Sequence, residues 1–375
     1  MTAPLEGLKV VELARVLAGP WIGQTLADLG AEVIKVESPE GDETRQWGPH
    51  FIERGPDRSA TYFYAANRGK AGITANLRDA QDLAHVKSLV TQADVFIENF
   101  KVGGLEKYGL DYAAASAGNP GLIYASVTGF GQTGPYAHRA GYDFLIQGMA
   151  GMMDVTGEAD GPPQKPGVAI SDLFTGLYGV IGIQAALAHR AKTGEGQHID
   201  LALFDTMVAM MANQASSCLA TGESPRRMGN AHPSIVPYQV FPVADGHIII
   251  ACGNTGQFAK LCDVLGTAWH EDERFATNPA RITHREILVP LITEVLTRWS
   301  RDDLLASLED VAVPAAPINT VGQALNDPQI EARGLKIAPD GIAALRTPLK
   351  FSRSTLNLDR TAPTLGQDNG RLTKP

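Results

Sequence analysis

Cysteine is scarce in this chain, with three residues, Cys218, Cys252 and Cys262, at spacings that suit no metal site. They read as reduced thiols of a cytoplasmic protein and exclude a disulfide scaffold. Long apolar runs are missing too, since none reaches the roughly 18 residues that span a bilayer. The opening Met1-Thr2-Ala3-Pro4-Leu5-Glu6 has neither the basic nor the apolar part of a signal peptide, so no membrane is expected. Net positive charge is absent. A balance of −9 argues against nucleic acid as a general partner, yet leaves room for a local basic patch that binds a phosphorylated ligand. Three catalytic signatures are lacking: G-x-S-x-G, H-E-x-x-H and the P-loop. Serine hydrolase, zincin and P-loop readings therefore have no support.

What is present is an ordinary globular composition, 44% hydrophobic and 19% charged over 375 residues, enough for two domains. Leu8 to Ala14 reads as a strand, Pro20 to Leu29 as a helix with proline in its first turn, and Ala31 to Glu37 as a second strand. That β-α-β unit has the outline of a Rossmann-type fold, although Arg15-Val16-Leu17-Ala18-Gly19-Pro20 is not G-x-G-x-x-G and does not support NAD or FAD. Ser38 to Arg58 reads as a long loop. Further strands are expected near Leu77, at Ala93 to Asn99, Leu122 to Thr128 and Gly196 to Leu203, alternating with helices at Ala80 to Gln92, Tyr142 to Met152 and Phe204 to Ala220. The alternation predicts an α/β fold with a mainly parallel sheet. Around Ala244-Asp245-Gly246 the pattern changes to a hairpin, followed by helices. A smaller α+β domain is thus expected over 225–325, with 1–220 and 330–375 forming the large one.

The stretch Pro166 to Gly179 carries the candidate chemistry. An apolar trio, Val168 to Ile170, reads as a strand that stops at Ser171, an N-cap residue type, with Asp172 in the first turn of a helix running to about Arg190. An acidic residue there complements the helix dipole and needs no other role. However, Gly176, Gly179 and Gly182 make a helix of poor propensity, and small residues permit close approach by a backbone or a ligand. A carboxylate at the start of such a helix can act as a nucleophile toward an activated acyl group. Cations follow strands at Lys35, Arg45, Arg68, Lys70, Lys101 and Arg139, where ligands of open parallel sheets bind. Each alone reads as solvated surface. Together they suit a pyrophosphate with an extra phosphate, as in coenzyme A.

The same segments resemble family III CoA-transferases, the CaiB/BaiF group. The likeness rests on LKVVELARVLAGPWIGQTLADLGAEVIKVE, ADVFIENFKVGGLEKYGL, LIYASVTGFGQTGPY, PGVAISDLFTGLYG and HIDLALFD, in that order. RAGYD, GNAHPSIVPYQVF and GNTGQFAKLC resemble the branch acting on dicarboxylates. The resemblance implies a large Rossmann-like domain, a small inserted one and an interlocked homodimer. It also implies CoA transfer from an acyl-CoA such as succinyl-CoA to a small carboxylic or dicarboxylic acid. Asp172 takes the place of the family's nucleophile, forming aspartyl anhydride and aspartyl-CoA thioester intermediates. No permanent cofactor or metal is implied. Gly229, Asn230 and His232 match the active-site loop, with His232 where relatives have more glycine; Trp47 and Tyr142 match residues near the site. Arg45, Asn67, Arg68, Lys70, Asn99, Lys101 and Lys107 match CoA-contact segments, with Lys101 in place of a common Arg. An α-methylacyl-CoA racemase is the first alternative. Its catalytic His falls at Tyr142 and its second acid near Thr255, so two-base proton exchange lacks its residues here. A formyl- or acetyl-CoA:oxalate transferase is the second, but the Gln of oxalate-using relatives is Leu17 here. A non-catalytic CoA-ester binder is a further alternative, against which intact Asp172 counts.

Overall fold

The computed structural model describes residues 2–370. Two compact units are present, one made of Met1–Met153, Lys165–Ser224 and Pro328–Pro375, the other of Asp154–Gln164 and Pro225–Asp327.

In the first unit, Val10 and Val11 fill strand β1 (Lys9–Glu12) and are buried, so the strand is covered on both faces as a central parallel strand must be. Helix α1 (Ala18–Asp28) tolerates Pro20 because no first-turn N–H has an intrahelical partner. Gly30, at φ +103°, turns the chain into β2 (Glu32–Glu37). Next come β3 (Phe51–Arg54), β4 (Asp57–Ala60), α2 (Thr61–Ala66), β5 (Ala71–Thr74), α3 (Ala80–Thr91) and β6 (Val95–Glu98). They are followed by α4 (Tyr112–Gly118), β7 (Ile123–Thr128), α5 (Asp143–Met149), α6 (Ile170–Thr193), β8 (Gln197–Ala202), α7 (Leu203–Met210) and α8 (Ala212–Thr221). Six of these strands form one parallel sheet in the order β5-β2-β1-β6-β7-β8. The chain leaves β1 toward β2 and β5, then resumes on its other side at β6, so the order reverses between β1 and β6. One face of the sheet is covered by Ile22, Leu26, Val180 and Ile183 of α1 and α6. The other carries Val86, Val90, Phe96 and Tyr124.

The small residues of α6 are explained by that packing. A Cβ on Gly179 would lie 2.4 Å from Ile22 Cδ1, and one on Gly176 would lie 3.1 Å from the Ala18 carbonyl oxygen. The close approach left open by the sequence is therefore to α1, to the Ala18 carbonyl and the Ile22 side chain. Helix α6 is also long and apolar enough to cross a membrane by length and composition, with a mean hydropathy of 1.4. That departs from the expectation that no segment would qualify, because helix length rather than an unbroken apolar run meets the criterion. In this fold it packs on α1, α7 and β8.

Several expectations are corrected. Residues 38–58 are not wholly loop: β3 and β4 form a hairpin around Gly55, at φ +61°, which the Pro- and charge-rich composition hides. Val168 to Ile170 is no strand, and Ile170 already belongs to α6. Ser171 is consequently inside the helix, and Ala169 is the N-cap. The helix expected over Phe204 to Ala220 breaks between α7 and α8, where Ala212 sits at φ +40°.

The second unit pairs β9 (Tyr238–Val243) with β10 (Gly246–Ala251) as an antiparallel hairpin and adds helices α9 (Thr255–Val264), α10 (Asn278–Thr283), α11 (Arg285–Leu296) and α12 (Arg301–Asp310). Strand β11 (Ala315–Pro317) completes a three-stranded sheet in the order β11-β10-β9. Phe241, Ile248, Phe258, Leu288 and Leu304 make its core. Residues 154–164 were not expected in this unit. They join it through Gly229 N–H donating to the Gly157 carbonyl at 3.0 Å and an Arg227–Asp154 ion pair.

Candidate active site

Arg15 follows β1 and Asn99 follows β6, the two strands that flank the reversal of strand order. Arg15 N–H donates to Asn99 Oδ1 at 3.0 Å, and Asn99 Nδ2 donates back to the Arg15 carbonyl at 2.7 Å. Over this junction lies a cavity of about 450 Å³ lined by Arg15, Val16, Leu17, Asn99, Phe100, Lys101, Lys107, Arg139, Tyr142, Asp143 and Asp172. Ligands of open parallel sheets bind at this topological position. Of the sequence candidates, Asp172, Tyr142, Asn99, Lys101, Lys107 and Arg139 are brought together here.

Asp172 is the third residue of α6 and half-buried. Its turn is fixed from outside, because Asp143 Oδ1 accepts from Ser171 N–H at 2.9 Å and from Ser171 Oγ at 2.5 Å. Gln147 Nε2 donates to Asp143 Oδ2 at 2.7 Å. Tyr142 and Asp143 have separate places: Tyr142 lines the cavity, while Asp143, from α5, caps the helix that carries Asp172. Burial pushes the Asp172 carboxyl up to about 7, and the negative charge of Asp143 adds to it. The Tyr62 hydroxyl is pushed up to about 12 by burial and then by the charges of Asp172 and Asp143. Among the described residues no cation pairs with Asp172. The result is a carboxylate more basic than usual, hence a stronger nucleophile when ionised.

This sets a pH dependence. In the nucleophile role that the resemblance implies, Asp172 would act ionised, and kcat/KM for acyl-CoA should then fall about tenfold per pH unit below about 7. Asp143→Asn keeps an oxygen for Ser171 and removes the charge, so the acid limb should move to lower pH in a kcat/KM profile. An unmoved or raised limb would show that Asp143 is not acting on Asp172 through charge.

Four of the expected CoA-contact residues are buried and bonded within the fold, outside the cavity's lining. Arg45 is buried, with Nη2 donating to Glu37 Oε1 at 2.7 Å, Nε to Glu37 Oε2 at 2.8 Å, and its plane on Phe63 at 3.7 Å. Arg68 is ion-paired with Asp28 and donates to the Leu345 carbonyl at 2.7 Å. Lys70 Nζ lies 2.8 Å from Glu12 Oε2 and donates to the Pro20 carbonyl and Asn67 Oδ1 at 2.8 Å each. Asn67 Nδ2 donates to the Phe63 carbonyl at 2.8 Å. Lys35 behaves alike, bonded to Glu12 and Asp42. The cations face carboxylates on neighbouring elements and Asn67 a backbone carbonyl, so their donors are occupied internally. Burial also pushes Lys70 down to about 7.

A second cavity, of about 510 Å³, borders the first and shares Arg15, Phe100 and Tyr108 with it. Leu13, Ser38, Asn76 and Arg78 are among its lining residues. Arg15 and Arg78 were not singled out from the sequence, although both follow parallel strands. Trp47 lies outside the first cavity's lining, 42% exposed, with its ring edge-on to Tyr62 at 5.4 Å.

Gly229, Asn230 and His232 belong to the second unit. Gly229 is left-handed at φ +58°, and a Cβ there would meet Glu158 Oε2 at 2.9 Å. His232 N–H donates to the Tyr238 carbonyl at 2.9 Å, and its Nδ1 accepts from Ser234 N–H at 3.0 Å. Arg285 Nη2 donates to the His232 carbonyl at 2.6 Å, so the loop is held from behind.

The sheet order and the switch-point cavity define an α/β protein with a ligand site at the strand ends, and the architecture matches a solved CaiB/BaiF structure. The crystal structure of a CAIB/BAIF family protein from Brucella suis is 60% identical, with a TM-score of 0.91 and 100% of both chains covered. Residues 5–369 match CoA-transferase family III, and the chain belongs to that family. It is similar to the succinate–glutarate CoA-transferase of Agrobacterium fabrum, 53% identical over 98% of this chain and 94% of that one. The succinyl-CoA:glutarate CoA-transferase of Mus musculus is 39% identical over 99% of this chain and 86% of that one.

Proposed function

We propose that this enzyme transfers CoA from succinyl-CoA to a dicarboxylic acid of glutarate type, with Asp172 as the covalent nucleophile. The observation that carries it is a half-buried, unusually basic carboxylate in a cavity that also holds Arg15, Lys101, Lys107 and Arg139. Asp172 Oδ attacks the thioester carbonyl carbon; the C–S bond breaks and CoA leaves as thiolate with the electron pair, giving an aspartyl–succinyl anhydride. The thiolate attacks the aspartyl carbonyl, releasing succinate and leaving an aspartyl-CoA thioester. The acceptor carboxylate attacks that carbonyl and again frees the thiolate. Attack of thiolate on the acceptor's acyl carbon then forms the new CoA ester and restores Asp172. No proton is consumed overall, and each anhydride keeps the reactivity of the thioester.

Lys101, Lys107 and Arg139 would hold phosphates of CoA, with Asn99 shaping the turn between them. The nucleotide end would occupy the second cavity, beside Arg78 and Asn76. His232, with Nδ1 engaged by Ser234, carries its donor on Nε2 and would meet the acceptor's distal carboxylate. A homodimer, interlocked as in the resemblance, would cover the apolar residues that α5 and α6 leave exposed, among them Phe144, Leu145, Leu177 and Ile181. The thiols of Cys218, Cys252 and Cys262 are free, which suits a reducing cytoplasm.

The test is a steady-state assay with succinyl-CoA against glutarate, other dicarboxylates and oxalate. Turnover should be highest with a dicarboxylate longer than oxalate, and His232→Ala should raise the acceptor KM more than the donor KM. Preference for oxalate would overturn the acceptor class. Deuterium exchange at the α-carbon of a 2-methylacyl-CoA, without transfer, would make the enzyme a racemase.

A further inference from the structure

Val16 has a φ of +71°, in the left-handed region. A branched side chain crowds the backbone there, and such a residue stays only where its surroundings over-determine it. Here the surroundings are specific. The Ala14 carbonyl accepts from Lys35 Nζ at 2.9 Å, and Arg15 exchanges two hydrogen bonds with the Asn99 side chain. Val16 N–H points between the oxygens of Asp42, at 3.4 and 3.2 Å. Asp42 is 1% exposed and is itself held, by Lys35 Nζ at 3.1 Å and by the Thr44 N–H and hydroxyl at 3.0 and 2.8 Å. Lys35 therefore grips the turn twice, directly at Ala14 and through Asp42 at Val16. Arg15, Val16 and Leu17 all line the cavity that contains Asp172.

We propose that the buried Asp42–Lys35 pair is a positioning device for the reaction, holding Val16 left-handed so that the Arg15–Leu17 turn is preformed for the acyl-CoA ligand. This rests on the reading of the cavity as a CoA site. Asp42 and Lys35 act through the turn, and neither lines the first cavity. Asp42 does border the second cavity, so a direct contact with ligand has to be separated from positioning.

Glycine separates them, because it takes φ > 0 without being held. The left-handed penalty of a non-glycine residue corresponds to about tenfold to hundredfold in population. If Asp42→Asn lets Val16 relax, the competent fraction falls and the apparent CoA affinity falls with it, by about tenfold or more. Calorimetric CoA binding and transfer kinetics on the full chain would be measured for four proteins: wild type, Asp42→Asn, Val16→Gly and the double variant. Expected are a raised Kd and KM for acyl-CoA with kcat nearly unchanged in Asp42→Asn and, whatever Val16→Gly does on its own as a residue that lines the cavity, a double variant that matches Val16→Gly and binds more tightly than Asp42→Asn. Wild-type-like Asp42→Asn, or a double variant as weak as Asp42→Asn, would overturn the proposal. Insoluble Asp42→Asn and double variant alike would assign Asp42 to folding and overturn it too. A wild type that binds CoA without turnover sinks the transferase reading alone, and the affinities still decide this one. Absent CoA binding sinks both.

Discussion

Asp172→Ala should abolish CoA transfer, lowering kcat by at least about ten-thousandfold, while CoA still binds with near wild-type affinity. The size follows from the proposed cycle: each of its four bond exchanges forms or breaks a bond at this carboxylate, and removing a covalent nucleophile costs about 10⁴ to 10⁶ in kcat. The affinity is spared because the cations of the cavity are untouched. Intact-mass spectrometry after incubation with succinyl-CoA should show an adduct mapping to Asp172 in the wild type and none in the variant. Residual transfer near the wild-type rate would remove the covalent role. Stability should move the other way. A carboxyl held near 7 by burial destabilises the folded state fully above that pH and not at all below its unfolded value near 3.8. Asp172→Asn should therefore melt higher than wild type at pH 8, with the difference shrinking as pH falls toward 4.

The second large effect is on stability. Glu12 is fully buried and is the shared partner of two buried lysines, 3.2 Å from Lys35 Nζ and 2.8 Å from Lys70 Nζ. Its own space is tight, since a Cβ on Gly23 would fall 1.8 Å from Glu12 Oε2. Glu12→Gln keeps the shape and removes the charge. Lys35 retains Asp42, but Lys70 is left with the Pro20 carbonyl and Asn67 Oδ1, both neutral. Breaking a buried pair in this way costs about 3–5 kcal/mol. Lys70 is already pushed down by burial, and losing Glu12 pushes it further. For a base with a depressed folded value the penalty is full below that value and fades toward the unfolded value near 10.5, so raising the pH to 9 should return part of the loss. Thermal unfolding by circular dichroism at pH 7 and 9 reads both. A melting point at pH 7 close to wild type would mean that the network contributes little.

The network also shows where sequence reasoning stops. Strand–helix alternation was legible through periodicity, and the first β-α-β unit, the Asp172 helix and the β9–β10 hairpin lie close to where hydrophobic patterning and turn residues put them. The cations were not. Position after a strand identifies the end of the sheet that binds ligands, but Lys35, Arg45, Arg68 and Lys70 occupy that end facing inward. Their partners, Glu12, Glu37 and Asp28, sit on other elements, and a one-dimensional pattern does not record which strand lies beside which. For the same reason Arg15 and Arg78 went unnoticed. Ser171 looked like an N-cap by type, whereas the capping carboxylate, Asp143, is 28 residues away. Residues 154–164 join the second unit through a backbone hydrogen bond between Gly157 and Gly229 and the Arg227–Asp154 ion pair, neither of which leaves a mark in hydropathy.

The contact of α1 with α6 through Gly176 and Gly179 bears on how such an enzyme can be remodelled. Helix α1 starts at Ala18, directly after the Arg15–Leu17 turn, and α6 carries Asp172 in its opening turn, so the two walls of the cavity are cast as one piece. A side chain added at either glycine would strike Trp21 or Ile22 of α1, so the seam leaves no room to enlarge. A breeder of new acceptor preferences would find that wall closed to adjustment by small steps, and would have to work on positions such as Arg139 and Tyr142, which line the cavity from the segment before α5.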